Sequence, residues 1–138
     1  MISRPLGELA QSMGIRLTEA TAERTVATMP VIGNRQPLGL LHGGATALIA
    51  ETVGSVAAHL SAGPGRFAVG IELNISHHRS ATDGTVTAIA TAVQLGKTLA
   101  TYAIEVLDEQ GRRISTARLT CLLRDDHKRP EAVGPTPL

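Results

Sequence analysis

Gln36-Pro-Leu-Gly-Leu-Leu-His-Gly-Gly44 leads without a break into Ala45-Thr-Ala-Leu-Ile-Ala-Glu-Thr-Val-Gly-Ser-Val-Ala-Ala-His-Leu60. The second segment is apolar nearly all round, the pattern of a helix wrapped by other structure. It starts at about His42 or Gly43 and stops before Gly63-Pro-Gly65, which no helix continues through. The first backbone N–H groups of such a helix have no intrahelical partner, and its dipole favours negative charge there. Gly43 and Gly44 are therefore suited to hold a polarised carbonyl oxygen. Glu51, set among Leu48, Ile49, Ala50 and Val53, is expected in an enclosed setting where a carboxylate needs a partner or a task. Ser55 lies one turn further along the same face. Taken singly, the glycines could serve only a tight turn and Glu51 could face solvent through a gap in the core. Together they mark a candidate active site.

Outward from this helix, Leu6 to Met13 reads as a short amphipathic helix ended by Gly14. Ile15 to Ala20 and Thr25 to Met29 read as short strands, and Pro30 to Leu41 as a loop. Beyond the helix come four runs rich in Val, Ile and Thr: Phe67 to His77, Thr85 to Gln94, Thr98 to Leu107 and Arg112 to Leu123. Their links, Thr82-Asp-Gly84, Gly96-Lys and Asp108-Glu-Gln-Gly111, are short and turn-like, which predicts consecutive antiparallel neighbours in a meander. The predicted class is α+β, an antiparallel sheet curled around one long helix. The tail from Asp125 to Leu138 reads as loose.

With 138 residues the chain fits one domain, and 43% hydrophobic residues with a net charge of +1 exclude a disordered chain. Phe67 and Tyr102 are its only aromatic residues and its arginines are scattered, so a nucleic-acid surface is not expected. Thr46, Glu51, Thr52 and Ser55 interrupt the longest apolar run, which argues against a membrane span. The N-terminal stretch carries no signal-peptide pattern, so a cytoplasmic location is expected. Cys121 is the single cysteine and alternates like a buried strand residue.

Four blocks carry a family resemblance: Arg35-Gln-Pro-Leu-Gly-Leu-Leu-His-Gly-Gly44, Glu51-Thr-Val-Gly-Ser55, Gly70-Ile-Glu-Leu-Asn-Ile-Ser-His-His-Arg79 and Asp108-Glu-Gln-Gly-Arg-Arg113. With them the chain resembles hotdog-fold thioesterases of the 4-hydroxybenzoyl-CoA thioesterase superfamily, in the branch of the Arthrobacter-type and enterobactin proofreading enzymes. The resemblance runs from about Asn34 to Leu123. It implies a hotdog fold and hydrolysis of an acyl-thioester, carried by CoA or by a carrier protein, with an aryl acyl group favoured and no cofactor. It further implies that Glu51 attacks the thioester carbonyl or activates water, that the Gly43 N–H polarises the carbonyl, and that Gln36 orients it with help from His42. Ser55 and His77 would bind the hydrolytic water or the acyl group, and a homo-oligomer, a dimer or a dimer of dimers, is implied.

The chemistry agrees on its own terms, since a thiolate leaves without the protonation an amine needs, and a carbonyl polariser plus a nucleophile or base suffices. No Gly-x-Ser-x-Gly elbow is present. His42, His77, His78 and Glu51 are metal-ligand types without ligand spacing, so no metal is expected. His77 and His78 are adjacent on a strand and must face opposite ways; His78 is read as structural, and His59 is given no role. Arg79, Lys97 and Thr98 are candidates for the nucleotide end of CoA, with solvated turn and edge residues as the plainer reading. A hydroxyacyl-thioester dehydratase and a non-catalytic acyl-CoA-binding protein are the alternative functions. Finally, Gly43 and Glu51 lie eight residues apart, about 12 Å along a helix. They cannot both reach one carbonyl, so the expected site pairs Gln36 and Gly43 of one subunit with Glu51 of another.

Overall fold

The computed structural model describes residues 6–128. In chain order these form α1 (Glu8–Ser12), β1 (Arg16–Ala20), β2 (Arg24–Pro30), α2 (Gly43–Ala62), β3 (Arg66–His77), β4 (Thr85–Leu95), β5 (Leu99–Leu107) and β6 (Arg113–Asp125), followed by a 3-10 turn over Asp126–Lys128. Asp125 is thus a strand residue rather than part of a loose tail, and residues 129–138 of that tail lie outside the described residues. The first helix is shorter than Leu6 to Met13, because Gly7 and Gly14 both adopt left-handed backbone and bracket it.

Six strands make one antiparallel sheet in the order β1-β2-β4-β5-β6-β3. The meander expectation holds for β4, β5 and β6 and fails for β3, which pairs with β6 at the far edge and never meets β4. The turn signal in Thr82-Asp-Gly84 is real, but it ends a link of residues 78–84 that is too long for a tight hairpin. His78 and Arg79 donate to the Ile114 carbonyl at the start of β6, Leu41 donates to the Ala81 carbonyl, and Val31 donates to the Gly84 carbonyl. The link therefore crosses the end of the sheet to reach β2, and β4 lands beside β2. Period-2 alternation fixes which face of a strand is buried and says nothing of its neighbour.

α2 lies across the concave face and packs against β2 to β6. Ile49, Ala50, Val53, Ala57 and Ala58 are fully buried on it, opposite Ala88, Tyr102, Val106 and Leu119. Full burial of each branched side chain contributes about 1.5–3 kcal/mol. Its small residues let the helix approach the sheet closely: a Cβ on Gly54 would stand 2.5 Å from Leu119 Cδ2. Tyr102 is buried in the sheet and donates its hydroxyl to the Ala22 carbonyl at 2.6 Å. Burial, with negative charge from Cys121 and Glu23 adding to it, pushes the phenol up to about 12.

The opposite face of α2 is not enclosed by the chain. Glu51 is exposed there, contrary to the walled-in setting read from its apolar neighbours, because Ile49, Ala50 and Val53 turn into the core while Glu51, with Leu48, borders the open groove beside the edge strand β3. β3 is equally bare. It is the sheet's edge, one flank unpaired over Arg66–His77, with Val69 41% and Ile71 56% exposed. Ile71 is the extra residue of a bulge between Gly70 and Glu72.

Candidate active site

The loop before α2 is held from several sides. Asn34 donates its amide to the carbonyls of Met13 (2.9 Å) and Pro30 (2.8 Å) and accepts the His42 N–H on its own carbonyl at 2.9 Å. Arg35 bridges to Leu41 across the loop. Within it, Gly39 at φ 81° closes a turn by donating to the Gln36 carbonyl at 3.0 Å, and Leu40 O accepts the Gln36 N–H at 2.7 Å. The Gln36 side-chain oxygen accepts from the Leu38 N–H, which fixes the amide and leaves its nitrogen as the outward donor.

His42 caps α2: its Nδ1 accepts the Gly44 N–H at 2.8 Å. The Gly43 N–H has no acceptor among the described residues. Beside it stands His77, the last residue of β3. A Cβ on Gly43 would lie 2.9 Å from His77 Nε2, so a larger residue here would have to displace the imidazole. His77 Nδ1 is 2.9 Å from the buried Ser115 Oγ. His78 points to the other face of the sheet, where its Nε2 is 2.8 Å from Thr116 Oγ1. Gln36, Gly43, His77, Arg79 and Ser115 line one cavity of about 380 Å³.

Glu51 and Ser55 line a different cavity, about 650 Å³, together with Leu9, Leu48, His59 and Leu73. It is the groove between α1 and the open face of α2. The Glu51 carboxylate rests against β3: a Cβ on Gly70 would meet its Oε2 at 2.8 Å. Beneath lies Cys121, fully buried. Burial and the Glu51 charge push the thiol up to about 11, against a hydrogen bond from Ser55 that lowers it, so Cys121 is inert at neutral pH.

The chain thus divides the expected residues into two groups: Gln36, Gly43 and His77 in one cavity, Glu51 and Ser55 in another. Ser55 and His77, expected to share one task, are apart. Lys97 and Thr98 are further still. Thr98 sits beside Leu123 and Arg79 beside Ile114, nine residues along β6 or about 30 Å. No three His, Cys, Asp or Glu residues gather into a metal-binding group among the described residues. No helix among them is long and apolar enough to cross a membrane. Sequence reasoning missed Gly70 and Ser115, whose roles depend on what β3 and β6 place next to Glu51 and His77; only the pairing register reveals them.

A carboxylate, an unpaired helix-start N–H and an outward-facing amide donor are group types that suit acyl transfer to water. The family model of the thioesterase superfamily (4HBT) matches residues 38–115. The chain belongs to this superfamily. It is 42% identical over 116 residues to the proofreading thioesterase EntH of Cronobacter turicensis, covering 83% of this chain and 85% of that one. The crystal structure of a thioesterase from Haemophilus influenzae superposes with a TM-score of 0.84 at 32% identity, covering 89% and 87% of the two chains. Two structures of a Staphylococcus aureus thioesterase (TM-scores 0.80 and 0.81, 30% and 29% identity, covering 84% and 86% of this chain and 98% and 99% of that one) carry alanine in place of a glutamine and of a glutamate fifteen residues apart. The fold is the hotdog fold, and this member of the superfamily is a thioester hydrolase.

Proposed function

We propose that the protein hydrolyses an acyl-thioester of CoA or of a carrier protein's phosphopantetheine at sites shared between two copies of the chain. The observation that carries this reading is the division of the site: Gly43 offers a free N–H beside Gln36 and His77, while Glu51 lies about 12 Å further along α2 in a second, open cavity. A partner that brings its Glu51 to this Gly43 completes both sites at once. The long edge strand β3 supports such pairing, since it presents unpaired backbone and exposed apolar side chains. Gly70 marks the Glu51 end of β3 and His77 the Gly43 end. Antiparallel pairing of β3 with its copy, centred near Leu73 and Asn74, would set one end against the other.

In that arrangement the Gly43 N–H and the Gln36 amide polarise and orient the thioester carbonyl, with His77 beside them. Glu51 of the partner copy attacks the carbonyl carbon or takes a proton from the attacking water, and the thiolate departs. Ser55, one turn from Glu51, holds the water. His42 acts indirectly, since its Nδ1 is committed to the Gly44 N–H and shapes the start of α2. The fifteen-residue glutamine-to-glutamate spacing of the alanine variants in the Staphylococcus enzyme is that of Gln36 and Glu51, which supports both assignments. Leu9, Leu48 and Leu73 suit an apolar acyl group, aromatic in the favoured reading. Arg79 of one copy and Lys97 and Thr98 of the other are the candidate contacts for the nucleotide end.

The test is a panel of aromatic, short and long aliphatic CoA thioesters, followed by thiol release with wild type and Glu51→Gln. The substitution should leave a folded protein and cost about a hundredfold or more in kcat on the best substrate. Turnover close to wild type would remove Glu51 from the reaction.

A further inference from the structure

We propose that the Ser115 hydroxyl donates to Nδ1 of His77 and so holds the imidazole as the tautomer protonated on Nε2, turning a second hydrogen-bond donor toward the carbonyl site at Gly43. The inference rests on the reading of Gly43 as the carbonyl polariser. Its basis is an inventory of protons. Ser115 is 1% exposed, and Nδ1 of His77 at 2.9 Å is the only partner of its Oγ among the described residues. A serine hydroxyl carries one proton that must go to an acceptor, whereas a neutral imidazole accepts on one nitrogen and donates from the other. If Nδ1 carried the ring proton and donated to Oγ, the hydroxyl proton, on a residue only 1% exposed, would have no acceptor among the described residues. The penalty for an orphaned buried donor favours the other arrangement by roughly tenfold or more.

The same bond sets the direction of the ring. β3 and β6 are paired in register at His77 and Ser115, which fixes the distance between the two side chains on the helix-facing side of the sheet. With Nδ1 tied to Ser115, Nε2 projects to the start of α2, where it would stand 2.9 Å from a Cβ on Gly43. The imidazole is exposed to the cavity on this side, so the Nε2 proton is open to a ligand. The Gly43 N–H and the His77 Nε2–H then converge as two donors on one developing oxyanion. Ser115 touches no reacting atom and is a positioning residue.

Ring-nitrogen NMR of protein with 15N-labelled histidine decides the question, recorded at about pH 8, above the ordinary histidine range. His77 is assigned among the five histidines by its absence from the His77→Gln spectrum. Wild type should show Nε2 protonated and Nδ1 unprotonated and hydrogen-bonded. Ser115→Ala should move the Nδ1 resonance toward that of an unbonded nitrogen and lower kcat about tenfold, with KM changed far less. Ser115→Thr, which keeps the hydroxyl, should restore both. A wild-type spectrum with the proton on Nδ1 overturns the proposal, and needs no variant to fold. An Nδ1 resonance or a kcat unchanged by Ser115→Ala overturns it as well. Failure of the underlying thioesterase site is read separately, from Glu51→Gln turning over like wild type.

Discussion

Gly70→Ala separates the position of the carboxylate proposed to be catalytic, Glu51, from the stability of the fold. Gly70 sits in extended β3, facing α2, and does not need left-handed backbone. Alanine there relieves the entropy cost of glycine in a strand, about 0.5–1 kcal/mol. The added methyl, however, would lie 2.8 Å from Glu51 Oε2 and 3.4 Å from Leu119 Cδ1. The leucine contact is ordinary, so the carboxylate is the group that must yield. Reaching van der Waals distance requires a shift of about 0.6 Å, small for a flexible side chain and large for a reacting group, where misplacement by about 1 Å costs on the order of a hundredfold. The expected result is a melting temperature within a few degrees of wild type and a kcat about tenfold lower. Thermal unfolding followed by circular dichroism and steady-state thiol release measure the two quantities on the same preparation. A stable Gly70→Ala protein with wild-type kcat would refute the placement of Glu51 against β3, and with it the role derived from that position.

Gly54→Ala should behave in the opposite way, because its methyl meets the buried Leu119 Cδ2 at 2.5 Å: overpacking of about 1–3 kcal/mol outweighs the gain in helix propensity of about 1 kcal/mol, and chemical denaturation should report a net loss of stability. Cys121 should resist alkylation at pH 8 in the native protein and react on unfolding, since burial first and Glu51 second push its thiol up to about 11; rapid native labelling would show that the sheet opens. Asp108 anchors the turn between β5 and β6, accepting the backbone N–H groups of Gln110 and Arg112 and the Arg112 guanidinium. Desolvation works to raise its carboxyl, but these donors outweigh it and hold the group below the ordinary carboxylate range. A depressed carboxyl stabilises fully above its unfolded value and loses that contribution as the pH falls through its folded one. Asp108→Asn should therefore be less stable than wild type at neutral pH, and the gap should close under strong acid; a gap independent of pH would contradict this.

How far the sequence could be read depended on whether a feature was local. α2 is bounded by a capping histidine and by Gly63-Pro-Gly65, so its start and stop were legible, and each strand was found to within two residues because Val, Ile and Thr alternate between turn signals. Strand order was not legible. The placement of β3 beside β6 follows from the crossing of residues 78–84, which local turn chemistry resembles a hairpin closely enough to mislead. In the site, the spacing of Gln36, Gly43 and Glu51 could be read directly, and helix geometry alone separates Gly43 from Glu51. The exposure of Glu51 could not be read, since Ile49, Ala50 and Val53 beside it in the chain pack into the core from other faces of the helix. The contacts of His77 with Ser115 and of Glu51 with Gly70 are products of register, across thirty-eight residues in the first case.

The shared site is tested most directly by mixing two variants that are each nearly inactive, Glu51→Ala and Gln36→Ala, unfolded together and refolded. A mixed dimer carries one site with both substitutions and one with neither. Random pairing makes about half the dimers mixed, each with one working site of two, so activity should return to roughly a quarter of wild type. Tagged chains confirm that exchange has taken place. Mixed protein no more active than its parents would mean that Gln36 and Glu51 serve the same site from one chain, contradicting the separation of about 12 Å between Gly43 and Glu51 on which the shared site rests.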